Sequence, residues 1–219
     1  RKLWDLALMA GCLAGETSTL LSEDLSTQGF EAFENWAGDL KDPNFAFLET
    51  PAWSKADNGA KHAIEATLNL LSSACRKEIL PEPFSKIIDF HGAVFAAENA
   101  YYYGPFLENH SGLLSEKLRD RLVTSKTTLA SDYIAALNAR EEIYKSLDHL
   151  LDQYDAVVCL AATGAAPVGF ETTGSAIFNG LWTYLGVPCL SLPVLTSDGM
   201  PLGLQLVGKR DGERNLFGA

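Results

Sequence analysis

The 219-residue chain contains no Gly-Gly pair and no Gly-Ser-Ser-Gly run. It therefore lacks the glycine-rich loop whose backbone donors hold an oxyanion beside a serine nucleophile. Basic clusters are missing too: no run exceeds two residues, and the pair Lys209-Arg210 is followed at once by Asp211 and Glu213, within a net charge of −11. That balance argues against a nucleic-acid or anionic-membrane surface, which rewards grouped Lys and Arg. No apolar run approaches the ~20 residues of a membrane span, and no charged start followed by an apolar core marks a secretory signal. Cysteine is scarce. Cys12, Cys75, Cys159 and Cys189 have no metal-ligand spacing and read as thiols of a reducing, cytoplasmic compartment. His62, His91, His110 and His149 fall on separate segments with no shared-metal spacing, and His62 with Glu65 reads as a solvated helix face. No internal repeat or low-complexity linker occurs.

What remains is an ordinary globular composition, 47% hydrophobic and 21% charged, long enough for one large domain with its own core. Its character changes once. Residues 45–154 read as helix-rich, whereas residues 155–219 carry ten of the eighteen glycines and four of the nine prolines, a shift to strands and tight turns. Residues 1–15 read as a helix over Leu3–Leu13 stopped at Gly15. Residues 16–44 read as a surface excursion with Phe30 and Trp36 as anchors. Phe45–Glu49 reads as a strand, and the recurrence at 60, 64, 67, 68, 71 and 74 as an amphipathic helix with Asp57 near its N-cap and a Lys61–Glu65 pair on its wet face. Strand then helix makes a βα unit. Pro83–Tyr103 predicts a helix stopped by Gly104-Pro105, and Leu129–Leu151 the longest helix of the chain. Asp155–Ala161 is a continuous apolar run, the mark of a strand covered on both faces.

The segment from Phe170 to Gly208 is the most particular. Gly174, Gly180 and Gly186 fall six residues apart; Ile177, Leu181 and Leu185 share one helical face, with Phe178 and Trp182 beside it. Gly186 is placed to end that helix in a left-handed cap. Val187–Pro193 reads as a buried strand closed by two prolines, Ser197-Asp198-Gly199 as a turn, and Leu202–Gly208 as a second strand alternating Leu204 and Leu206 against Gln205 and Val207.

Thr173, Gly174, Asn179, Trp182, Leu185, Gly186, Pro188 and the Gly203–Gly208 run resemble the C-terminal end of the amidase signature family. The likeness extends to Leu150–Leu160, to Leu113–Tyr144 as a long surface helix, and to residues 1–15 as the helix closing the signature region. It is most specific in the last third. The resemblance implies an α/β fold, a mixed sheet flanked by helices, and hydrolysis of carbon–nitrogen amide bonds with neither a metal nor an organic cofactor. It also implies a substrate-facing role for Thr173, Ser175, Phe178, Asn179 and Trp182. Ser175 stands where many members carry Asp, which favours a neutral amide over a cationic one and disfavours a subunit that delivers amide nitrogen to a tRNA-linked acid. For Asn179 and Trp182 the competing role is to tie the helix to the sheet.

The family's nucleophilic Ser, second Ser and Lys base have no counterpart here, so no catalytic residue is assigned. Ser115-Glu116-Lys117 has Ser-Xaa-Lys spacing without an oxyanion loop and reads as a helix start; Asn109-His110-Ser111 fits a glycosylation sequon by chance. The expected partners are a small amide, a separate N-terminal half bearing the missing residues, or a second copy of the chain. An apolar face left by a missing half promotes such pairing. The alternative reading is a non-catalytic ligand-binding or interaction module.

Overall fold

Apolar segments of four to nine residues form one sheet in the computed structural model, which describes residues 3, 5–7, 9 and 42–219. The strands are β1 (Phe45–Leu48), β2 (Cys75–Glu78), β3 (Ala156–Leu160), β4 (Cys189–Ser197) and β5 (Met200–Val207). Their order is β2-β1-β3-β5-β4. The first three are mutually parallel, and β5 runs antiparallel to both β3 and β4. Between them run α1 (Asn58–Leu71), α2 (Ile87–His110), α3 (Glu116–Ser125), α4 (Ala130–Leu151) and α5 (Ile177–Leu185), with α6 (Glu213–Gly218) at the end.

The sheet is covered on both faces, as the apolar run in β3 predicts: all five of its residues are buried. Successive residues alternate between two core layers. Phe45, Phe47, Val158, Leu160, Leu204 and Leu206 pack with Ile64 of α1 and Leu216 of α6. Ala46, Leu48, Val157, Cys159 and Val207 pack with Phe84, Ile143, Leu147, Leu181 and Trp182, the layer of α2, α4 and α5. The βα unit at β1–α1 closes into a parallel β1–α1–β2 crossover. Asp57 caps α1, its carboxylate accepting the Ala60 N–H at 2.7 Å. The Asp198-Gly199 turn has both central residues at positive φ, and its Ser197↔Met200 register makes it a two-residue hairpin of the kind that matches strand twist.

Several expectations are corrected. β2 went unread because Cys-Arg-Lys-Glu carries no apolar alternation; it is an edge strand, and charge on an edge discourages pairing with other chains. The helix expected to stop at Gly104-Pro105 runs on to His110 and is the longest, at 24 residues. Pro105 withholds one N–H, but α2 as a whole packs against α3, α4 and α5, and the helix stays continuous. The surface helix read over Leu113–Tyr144 is two helices, broken at residues 126–129, where Leu129 is extended (ψ 142°). β4 runs through Pro193 to Ser197, with a register shift between Leu192 and Leu195 absorbing the proline. β5 is buried on both faces, Gln205 and Val207 included, because a packed layer covers each side of the sheet there: Leu204 and Leu206 enter one and Val207 the other. Lys61 lies 5.9 Å over the Trp53 ring, and no Lys61–Glu65 bridge occurs among the described ion pairs. Residues 3, 5, 6, 7 and 9 are helical; the remainder of the Leu3–Leu13 helix, its stop at Gly15, Cys12, and the excursion with Phe30 and Trp36 lie outside the described residues.

Candidate active-site wall

The parallel strands β1 and β3 end on the same side of the sheet, where ligands of α/β folds collect. Two loops meet there. The chain leaving β1 reaches the start of α1, and the chain leaving β3 crosses as residues 161–176 before entering α5. The Asp57 N–H donates to the Thr163 carbonyl at 2.8 Å, tying the loops together. Gly164 allows it: a Cβ there would sit 1.6 Å from an Asp57 carboxylate oxygen. Ala161 N–H donates to the Gly203 carbonyl at 3.1 Å, holding the start of the second loop on β5.

Of the five residues expected to face substrate, Thr173, Ser175 and Asn179 are exposed at this end of the sheet, whereas Phe178 and Trp182 are at most 1% exposed. Phe178 enters the α1-side layer and Trp182 the opposite one, where it meets Phe84 edge-on at 6.3 Å. The Ser175 hydroxyl accepts from the Ile177 N–H at 3.3 Å, helping to start α5. Gly174 (φ 85°) makes the bend before it, and the Gly174 N–H donates to the Thr172 hydroxyl at 3.2 Å. At the other end Gly186 is left-handed (φ 66°, ψ 42°), the cap that its position in the sequence predicts.

Asn179 is the polar centre of the wall. Its Nδ2 donates to the Ala161 carbonyl at 3.2 Å, and its Oδ1 accepts from Gln205 Nε2 at 2.9 Å. Gln205 is 4% exposed, and its Oε1 lies 3.5 Å from the Cys159 sulfur. Burial, the largest influence, and neighbouring Cys189 push the Cys159 thiol far above the usual range, against a downward pull from Trp182. Burial raises the Cys189 thiol to about 12. Both sulfurs therefore remain protonated. Gln205 and Cys159 escaped the sequence reading, although a lone amide in a Leu-Xaa-Leu strand that has neighbours on both sides signals a buried polar partner.

The two loops also carry Glu49, Lys55 and Glu171; Glu49 pairs with Lys77 at 2.6 Å, and Asp57 is occupied as the α1 cap. Ser115 is the N-cap of α3, accepting from the Leu118 N–H at 3.3 Å, and supplies no nucleophile. Among the described residues no group of three His, Cys, Asp or Glu side chains could hold a metal, and no helix is long and apolar enough to cross a membrane. Cys75, Cys159 and Cys189 are free thiols. Along the β4–β5 hairpin an open, largely apolar cavity of about 520 Å³ lies between Leu3, Leu6 and Met9 and the strand residues Ser191, Leu192 and Pro193.

Comparison with known proteins agrees with this architecture. The chain is 26% identical over 165 residues to a glutamyl-tRNA(Gln) amidotransferase subunit of Lachnoclostridium phytofermentans, covering 63% of this chain and 33% of that one. Among solved structures it is similar to an amidase at a TM-score of 0.73 and 22% identity, covering 83% of this chain and 45% of the other. It is similar to a 6-aminohexanoate cyclic dimer hydrolase at 0.68 and 16%, covering 100% and 52%. The chain thus spans from about a third to about half the length of these relatives. The Amidase family model matches residues 1–217, and the chain belongs to the amidase signature family.

Proposed function

We propose that these residues form the substrate-side wall of an amidase that hydrolyses carbon–nitrogen bonds of small neutral amides. Thr173, Ser175 and Asn179 meet the substrate, and Phe178 and Trp182 hold their helix against the two core layers. The single observation that carries this reading is the hydrogen-bonding lip at the ends of β1 and β3, where the Asn179 amide is held by Ala161 and Gln205 and stays open to solvent. The Ser-Ser-Lys chemistry comes from polypeptide outside these 219 residues, and no metal or organic cofactor takes part. Ser175 in the position of an Asp favours hydrolysis of neutral amides over delivery of amide nitrogen to a tRNA-linked acid. The apolar β4–β5 face supports pairing with that N-terminal half, and the three free thiols support a cytoplasmic setting. The same face also suits the second reading, a non-catalytic module that pairs through it, with a complementary half or a second copy of the chain.

The test is recombination. The purified 219-residue chain is expected to show no turnover on a panel of neutral amides, and to gain it when mixed with a separately expressed N-terminal amidase half carrying a Gly-Ser-rich segment. Ser115→Ala should leave that turnover unchanged. Turnover by the chain alone, abolished by Ser115→Ala, would overturn the proposal; absence of turnover after stable recombination would favour the module.

A further inference from the structure

The amide groups at the wall have a fixed polarity, and its origin is a backbone carbonyl. Ala161 O can only accept, so the Asn179 side chain must turn its NH2 toward it; the flipped amide would set two oxygens face to face. Once Nδ2 is placed, Oδ1 points at Gln205 and takes the Nε2 hydrogen at 2.9 Å. That in turn commits Gln205 Oε1 to the Cys159 sulfur at 3.5 Å, a protonated thiol that can donate. The chain of bonds runs in one direction, from Cys159 through Gln205 and Asn179 to Ala161.

Exposure divides its members. Cys159 and Gln205 are 1% and 4% exposed, whereas Asn179 is open to solvent. Its oxygen is turned inward to a buried partner. Of its two N–H groups one is used by Ala161, and the other has no partner among the described residues.

We infer that Gln205, backed by Cys159, is a positioning residue that engages the oxygen of an amide already set by the Ala161 carbonyl and so keeps Asn179 a one-way donor, and that the group it takes from a ligand is an acceptor, the carbonyl oxygen of an amide rather than its nitrogen. This rests on the amide-hydrolase reading of the wall and deepens it by naming the recognised atom. Without Gln205 the amide is held by the Ala161 carbonyl alone, and the Asn179 oxygen, no longer engaged by a buried partner, becomes available to accept from a ligand.

The experiment uses the protein at the full length its gene encodes, labelled with 15N-asparagine. The Asn179 side-chain signal is the one that disappears in Asn179→Asp. Titration with N,N-dimethylacetamide, which accepts but cannot donate, is expected to move that signal to saturation. Propylammonium, which donates but cannot accept, should leave it in place. Gln205→Met should weaken dimethylacetamide binding by about fivefold, the scale of one hydrogen bond, and reduce the preference between the probes. Cys159→Ser, which keeps a donor, should retain more of that preference than Cys159→Ala, and this pair carries the test if Gln205→Met does not fold. The inference is overturned if propylammonium moves the signal as far, if dimethylacetamide does not move it, or if both Gln205→Met and Cys159→Ala leave preference and affinity unchanged. Amide hydrolysis by the same preparations separates the two ideas: probe preference without turnover removes the hydrolase reading alone, and turnover without probe preference removes this inference alone.

Discussion

His91 shows how a single side chain reports on its surroundings. Its ring packs against Gly180, where an added Cβ would sit 2.5 Å from Cε1, and stacks on Phe95 at 5.7 Å. Burial lowers its pKa below 6.5, and Glu98 and Arg140 line the same small cavity. Between the folded and unfolded values the unfolded chain binds more protons, so this contribution is intact above pH 6.5 and is lost as pH falls through that value toward the folded one. Thermal melts at pH 7.5 and 5.5 should show a smaller acid loss in His91→Gln than in the parent. Gly180→Ala is expected to destabilise by about 1–3 kcal/mol through overpacking against the imidazole, measured by urea denaturation. Ser115→Ala should lower stability by about 1 kcal/mol through loss of the α3 cap. Asn179 and Trp182 were legible in the sequence as partners of one helix. Gln205 was not, because polar alternation along β5 reads as a wet face, and only the packing of a layer on each face of the sheet shows that face to be buried.

At the scale of elements, the far end of α5 is held by Arg210. Its Nε donates to the Leu185 carbonyl at 2.9 Å, its guanidinium lies 3.8 Å over the Tyr144 ring, and Nη1 pairs with Glu141 at 2.9 Å. A cation at a helix C-terminus also suits the helix dipole. Arg210→Ala should therefore destabilise by about 1–3 kcal/mol, with Tyr144→Leu in the same background adding less than it does alone, as a double-mutant cycle in urea would show. Helix α5, its Gly186 cap and the hairpin were readable because glycine marks where a left-handed residue is needed. The continuation of α2 through Pro105 was not, since a proline's local penalty is visible in sequence and the tertiary packing that outweighs it is not. β2 stayed hidden for the opposite reason: an edge strand borrows its order from β1 and needs no pattern of its own.

For the molecule as a whole, a sheet covered by helices on both faces followed from the two-sided apolar run of β3, and its mixed character from the likeness to the amidase signature family, while the order β2-β1-β3-β5-β4 depends on pairings that no local pattern encodes. Helix α5 sits where this order matters most, for Phe178 enters one core layer and Trp182, one turn later, the other. The helix acts as a rivet driven through the end of the sheet. Shifting the lip that carries Asn179 would require both layers to loosen together, so its motion is coupled to global unfolding rather than to local opening. Amide hydrogens of Leu181–Leu185 should exchange with deuterium as slowly as those of β3, and Trp182→Ala should speed both. A lip built this way presents one fixed shape, and changes that shape by substitution rather than by breathing.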